Sequence, residues 1–62
     1  SKSGVSIARF EEKFGRSFDG LYGEIVKDLV QQGLMQIEGD RVRMTKRGLF
    51  LGDTVAERFI LE

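Results

Sequence analysis

The spacing of apolar positions changes several times along the chain, and each change predicts an element. Ile7, Phe10 and Phe14 recur at i, i+3 and i+7, which predicts a short amphipathic helix from Ser6 to Phe14. Ser6 is its expected cap and Gly15 its expected stop. A longer helix is predicted from Ser17 to Gln32, capped by Ser17, with Asp19 in the first turn where it suits the helix dipole. Tyr22, Ile25, Val26, Leu29 and Val30 form its apolar stripe, and Phe18 and Leu21 are expected to pack at the corner between the two helices. Gly20 and Gly23 weaken its first turns by up to about 1 kcal/mol each relative to Ala, and would permit close packing against the first helix.

After Gly33, which can take the left-handed conformation that closes a helix, the period falls to two. Gly39-Asp40 places glycine where a type II′ hairpin turn needs positive φ. That turn sets Glu38 opposite Arg41, Ile37 opposite Val42, Gln36 opposite Arg43 and Met35 opposite Met44. Met35, Ile37, Val42 and Met44 then share one face, expected to be core, and Gln36, Glu38, Arg41 and Arg43 share the other. Thr45 is a good cap for a third helix running to about Leu61, with Leu51, Val55 and Phe59 as its inner row. Gly48 and Gly52 beside that row are expected to let the helix approach a neighbour, while Phe50 lies off it and is expected to be exposed. The order helix–helix–β-hairpin–helix is the outline of a small winged-helix-like α+β domain. Residues 5–62 are assigned to it and residues 1–4 to a tail or expression scar.

Sixty-two residues make one domain near the lower size at which a core alone sustains folding, with little room for a cleft. The chain has no Cys and no His, which removes disulfides, thiol nucleophiles, the usual zinc sites and imidazole bases. Glu11/Glu12 and Asp53/Glu57 are paired carboxylates, but a general acid needs burial or a like-charge neighbour in a cleft. They are read as solvating helix faces. No catalytic, cofactor-binding or metal-ligating residue is therefore assigned. The glycines form neither a dinucleotide fingerprint nor a Walker loop. No apolar run approaches the roughly 20 residues that span a bilayer, and a soluble, cytoplasmic parent protein is expected.

Ten basic and ten acidic residues cancel, whereas dedicated nucleic-acid binders carry a basic excess. One local cluster stands out: Arg41, Arg43, Lys46 and Arg47 place four cations within seven residues. In a winged helix the preceding helix would read the major groove. Here that helix carries Asp19, Glu24, Lys27 and Asp28, three acids against one base, and would repel phosphate. Cations at the start of the third helix also oppose its dipole. Lys46 and Arg47 are thus kept for an anionic partner, or pair with Glu38 and Asp40.

Three strings resemble a known family: Phe10-Glu11-Glu12-Lys13-Phe14-Gly15, Leu29-Val30-Gln31-Gln32-Gly33-Leu34, and Val42-Arg43-Met44-Thr45-Lys46-Arg47-Gly48. Together they resemble the C-terminal domain of the oxygen-independent coproporphyrinogen III oxidases, radical S-adenosylmethionine proteins whose relatives include haem chaperones. The resemblance runs from about Val5 to Leu61. It implies a parent with an N-terminal catalytic barrel that binds a 4Fe-4S cluster through a Cys-x-x-x-Cys-x-x-Cys motif and cleaves S-adenosylmethionine. None of those ligands lies in this chain. The resemblance also implies that this domain covers the barrel and helps enclose a tetrapyrrole or haem. Any axial haem ligand here would be Tyr22, Met35 or Met44, although both methionines also fit a hairpin core. The basic cluster could instead meet propionates, which suit Arg forks. The expected function is a non-catalytic accessory domain of such a parent, bound to its barrel. The alternative is a winged-helix DNA-binding or protein-interaction module.

Overall fold

The computed structural model describes residues 3–61. Ser1 and Lys2, half of the expected tail, lie outside the described residues, as does Glu62. The elements follow as β1 (Val5–Ser6), α1 (Ile7–Phe14), α2 (Phe18–Gln31), β2 (Met35–Glu38), β3 (Arg41–Met44), α3 (Lys46–Phe50) and α4 (Gly52–Leu61). This is a small α+β domain in the expected order of helix, helix, hairpin and helix, with a three-stranded antiparallel sheet.

The helix ends obey local chemistry. Ser6, Ser17 and Thr45 accept from the N–H groups of Arg9, Gly20 and Gly48, so each hydroxyl satisfies a donor that its helix cannot. Gly15 and Gly33 take positive φ of 65° and 76°. At the second, the Leu34 N–H bonds the Leu29 carbonyl at 2.9 Å and the Gly33 N–H bonds the Val30 carbonyl at 3.0 Å. These two bonds make a Schellman motif, and its apolar contact joins Leu34 to Leu29.

The hairpin has the expected register in all four pairs, with Gly39 at φ 59°. The sheet also contains a strand that the sequence pattern does not show. Val5 pairs with Val42 and Ser6 with Arg41, giving the order β1-β3-β2. Two residues are too few to display a period. Asp40 holds this strand and α1 in place. Its carbonyl accepts from the Ile7 N–H at 2.8 Å, and its carboxylate accepts from the Ser6 hydroxyl and, at 3.1 Å, from the Ala8 N–H.

Two joined clusters form the core. Phe18, Val26 and Val42 are surrounded by Ile7, Phe10, Tyr22, Met35 and Phe59. Leu29, Leu34 and Val55 are surrounded by Ile25, Met35, Leu51 and Phe59. The expected apolar face of the hairpin is only partly core: Val42 on the central strand is buried and Met35 half-buried, but Ile37 is 56% and Met44 37% exposed. The helices cover the middle of the sheet and leave its ends open. Leu21 at the helix corner also remains largely exposed, unlike its neighbour Phe18.

The expected single third helix is two. Leu51 leaves the helical region at φ −104° and ψ 37°, ahead of Gly52, a poor helix former. Leu51 and Val55, on either side of the break, both pack at the Leu29–Leu34 cluster. Gly48 is buried against the Leu34 carbonyl, with which a methyl there would collide, the close approach expected of it. Gly52 makes no such approach, and nothing lies within 4 Å of where its Cβ would be. Gly20 and Gly23 face Ser17 and Asp19 of their own helix segment rather than α1.

Candidate functional site

Aromatic rings tie three helices together. Phe10 meets Phe14, Phe18 and Tyr22 at centroid distances of 4.9, 5.3 and 6.0 Å, and Tyr22 meets Phe59 at 5.5 Å. Offset and edge-on pairs at such distances add to the stabilisation from burial alone. The rings fill the corner between α1, α2 and α4 without reaching the far end of the sheet. An apolar trough of about 330 Å³ remains, despite the small size of the domain. Val5, Met35, Val42 and Met44 line its sheet side, and Tyr22, Val55, Ala56 and Phe59 its helix side. No charged side chain lines it.

The trough meets a second, wider basin at Val5 and Phe10. This basin is cationic. Arg9 and Lys13 from α1 and Arg41 from β3 border it, against one acid, Glu12. Lys13 lies 5.6 Å from the centroid of the Phe14 ring, and Arg41 reaches the Gly4 carbonyl at 3.4 Å. A third depression, near Ile7, Val30 and Ile37, has the opposite character. It is bordered by Glu11, Asp19, Glu24 and Lys27.

The structure disperses the basic cluster read from the sequence. Arg43 pairs with Glu38 across the hairpin. Arg41 turns towards β1 and the basin. Lys46 and Arg47 stand exposed at the start of α3, and neither pairs with Glu38 or Asp40. Glu38 is engaged by Arg43, and Asp40 by the start of α1. Arg9 and Lys13, read from the sequence as solvating charges, are the cations that join Arg41. Only the pairing of β1 with β3, which closes one side of the basin, could have singled them out.

Tyr22, Met35 and Met44, the possible axial ligands, all line the one trough. Met35 also packs against both core clusters. The carboxylates make no acid–base site. Glu11 accepts from the Phe18 N–H at 2.9 Å and so caps α2, while Asp53 and Glu57 border a shallow surface beside Ile60 and Leu61. Among the described residues no group of three or more Asp or Glu could hold a metal ion, and no helix is long and apolar enough to cross a membrane.

Large apolar side chains also stand in solvent on α3 and at the end of α4. Phe50 is 87% exposed, as expected from its place off the inner row, and Leu49, Ile60 and Leu61 are also well exposed. Asp28 on α2 is held by Arg58 of α4 at 2.6 Å, with Gln32 alongside at 3.2 Å.

Comparison with known proteins gives a consistent result. Residues 1–51, up to the break between α3 and α4, match the model of the HemN C-terminal domain. A heme chaperone HemW of Lactococcus lactis subsp. lactis (strain IL1403) is 44% identical over 98% of this chain, which corresponds to 16% of the relative. The heme chaperone HemW of Bacillus subtilis (strain 168) is 43% identical over 97% of the chain, again 16% of the relative. The chain thus spans about one sixth of the length of these relatives. No solved structure matches it significantly.

Proposed function

The chain belongs to the HemN C-terminal domain family, and on that footing we propose that it is the non-catalytic accessory domain of a radical S-adenosylmethionine protein that handles a tetrapyrrole or haem. Its work is to pack against the catalytic barrel of the same polypeptide and shape access to the bound tetrapyrrole. The 4Fe-4S cluster and S-adenosylmethionine belong to the barrel, because this chain offers no thiolate or imidazole ligand.

The observation that carries this reading is the bare apolar surface of α3 and the end of α4. Phe50, Leu49, Ile60 and Leu61 are four large side chains left in water in a domain with few apolar residues to spare. Large apolar side chains exposed as neighbours, Leu49 with Phe50 on α3 and Ile60 with Leu61 on α4, fit surfaces that another body covers. Asp53 and Glu57 beside Ile60 and Leu61 fit a polar rim.

The test is the double substitution Phe50→Asp and Ile60→Asp in the full-length protein. Small-angle scattering should show the domain swinging away from the barrel as an increased radius of gyration. Haem should exchange faster, with the circular dichroism of the fold unchanged. An unchanged radius together with unchanged haem exchange would reject the covering role.

A further inference from the structure

We infer that the acidic depression along α2 is a docking groove for a basic, amphipathic segment of a partner protein. Such a segment presents aliphatic side chains flanked by Lys or Arg. The inference goes beyond the tetrapyrrole reading and uses a different surface, since no residue of α3 or α4 lines this groove.

Three observations carry it. The first is an apolar lining that the domain leaves partly in water. Phe18, Val26 and Val42 are buried there, but Val30 and Ile37 remain 37% and 56% exposed. The groove holds about 370 Å³, and α2 borders it from Asp19 to Gln31, about 18 Å of helix.

The second is charge. Glu11, Asp19 and Glu24 border the groove against one base, Lys27. Glu11 is engaged by the Phe18 N–H. Asp19 and Glu24 make no ion pair or hydrogen bond among the described residues, so both carboxylates are available to a cation. The trough beside Tyr22 and Phe59 instead adjoins the cationic basin of Arg9, Lys13 and Arg41, which would repel the same segment. Charge complementarity thus assigns a basic segment to the α2 groove and away from the trough.

The third is Gly23. It lies inside α2, where glycine costs about 1 kcal/mol relative to Ala. The atoms nearest to a Cβ there belong to the Asp19 carboxylate, the end of a flexible side chain, so no contact with another element requires glycine. Gly23 does line the groove, and it leaves the α2 backbone bare between Asp19 and Lys27. A partner's side chain can approach the helix closely at that point. Apolar anchors seated in a groove give affinity, and the flanking charges select the partner.

Two synthetic amphipathic peptides of equal length and leucine content serve as probes, one with lysines beside the leucines and the other with glutamates. Fluorescence anisotropy with the full-length protein should show the lysine peptide binding about tenfold tighter, with the gap narrowing as salt rises. Asp19→Asn with Glu24→Gln should remove that preference by weakening the lysine peptide about tenfold. Gly23→Gln fills the groove and should weaken the lysine peptide about fivefold, yet raise the urea midpoint, because glutamine is the better helix former. A glycine kept only for the fold would lose stability instead.

No preference between the two peptides, or native affinity in Gly23→Gln, would overturn the groove. So would carbodiimide labelling that spares Asp19 and Glu24 before any peptide is added. The parent chain or a second copy would then fill the groove, and dilution would release only the second copy.

Discussion

The Thr45 hydroxyl donates to the Gly33 carbonyl at 2.7 Å and accepts from the Gly48 N–H at 3.0 Å, so one side chain fastens the end of α2 to the start of α3. The Thr45 N–H adds a bond to the Leu34 carbonyl at 3.1 Å, and that carbonyl is also the group a Cβ on Gly48 would strike. The two glycines of this region therefore differ in kind. Gly48→Ala should destabilise the chain by about 1–3 kcal/mol, because a backbone carbonyl cannot move aside as a flexible side chain would. Gly52→Ala, at the start of α4 with open space around it, should instead stabilise by up to about 1 kcal/mol. Urea midpoints of the two variants measure both, and a common sign would refute the distinction. The caps Ser6, Ser17 and Thr45 were legible in the sequence, since capping is local and depends on residue type. The second bond made by Thr45 was not, because it joins residues twelve apart through a folded corner.

Elements were legible where several local signals agreed. In the hairpin, turn glycine, register and alternation pointed the same way, and all four pairs stand as read. Two signals were too weak. β1 is two residues long and exists only because β3 offers it an edge and Asp40 fixes its end. The division of the last helix at Leu51 leaves the apolar spacing nearly intact, so periodicity runs straight through it. The burial of the hairpin was overread for a related reason. Alternation gives the face a residue shares, but helix length and position decide how much of that face is covered. Between elements, the link of Asp28 to Arg58 joins α2 to α4, yet both side chains keep substantial contact with water. Asp28→Asn should therefore cost no more than about 1 kcal/mol. The loss should shrink in 1 M salt, measured by the same urea midpoints, whereas a larger, salt-independent loss would show a buried role.

For the whole molecule, charge argues against nucleic acid and apolar surface argues for a covering partner. The cations do not form the continuous patch that the sequence cluster promised. Arg43 is neutralised by Glu38, Arg41 faces the basin, and Lys46 and Arg47 stand alone on α3. Family membership was legible in three short strings, which carry the helix stops, the Thr45 cap and the packing residues of α1, α2 and the hairpin. The trough and basin were not legible, for their walls come from α1, β1, β3 and α4 and meet only in the folded chain. The covering role is tested most directly by hydroxyl-radical footprinting of Phe50 and Ile60 in the full-length protein. Leu29, fully buried within this domain, and Leu21, exposed on α2, provide internal references. Docking predicts that Phe50 and Ile60 are labelled as slowly as Leu29, and labelling as fast as that of Leu21 would contradict it.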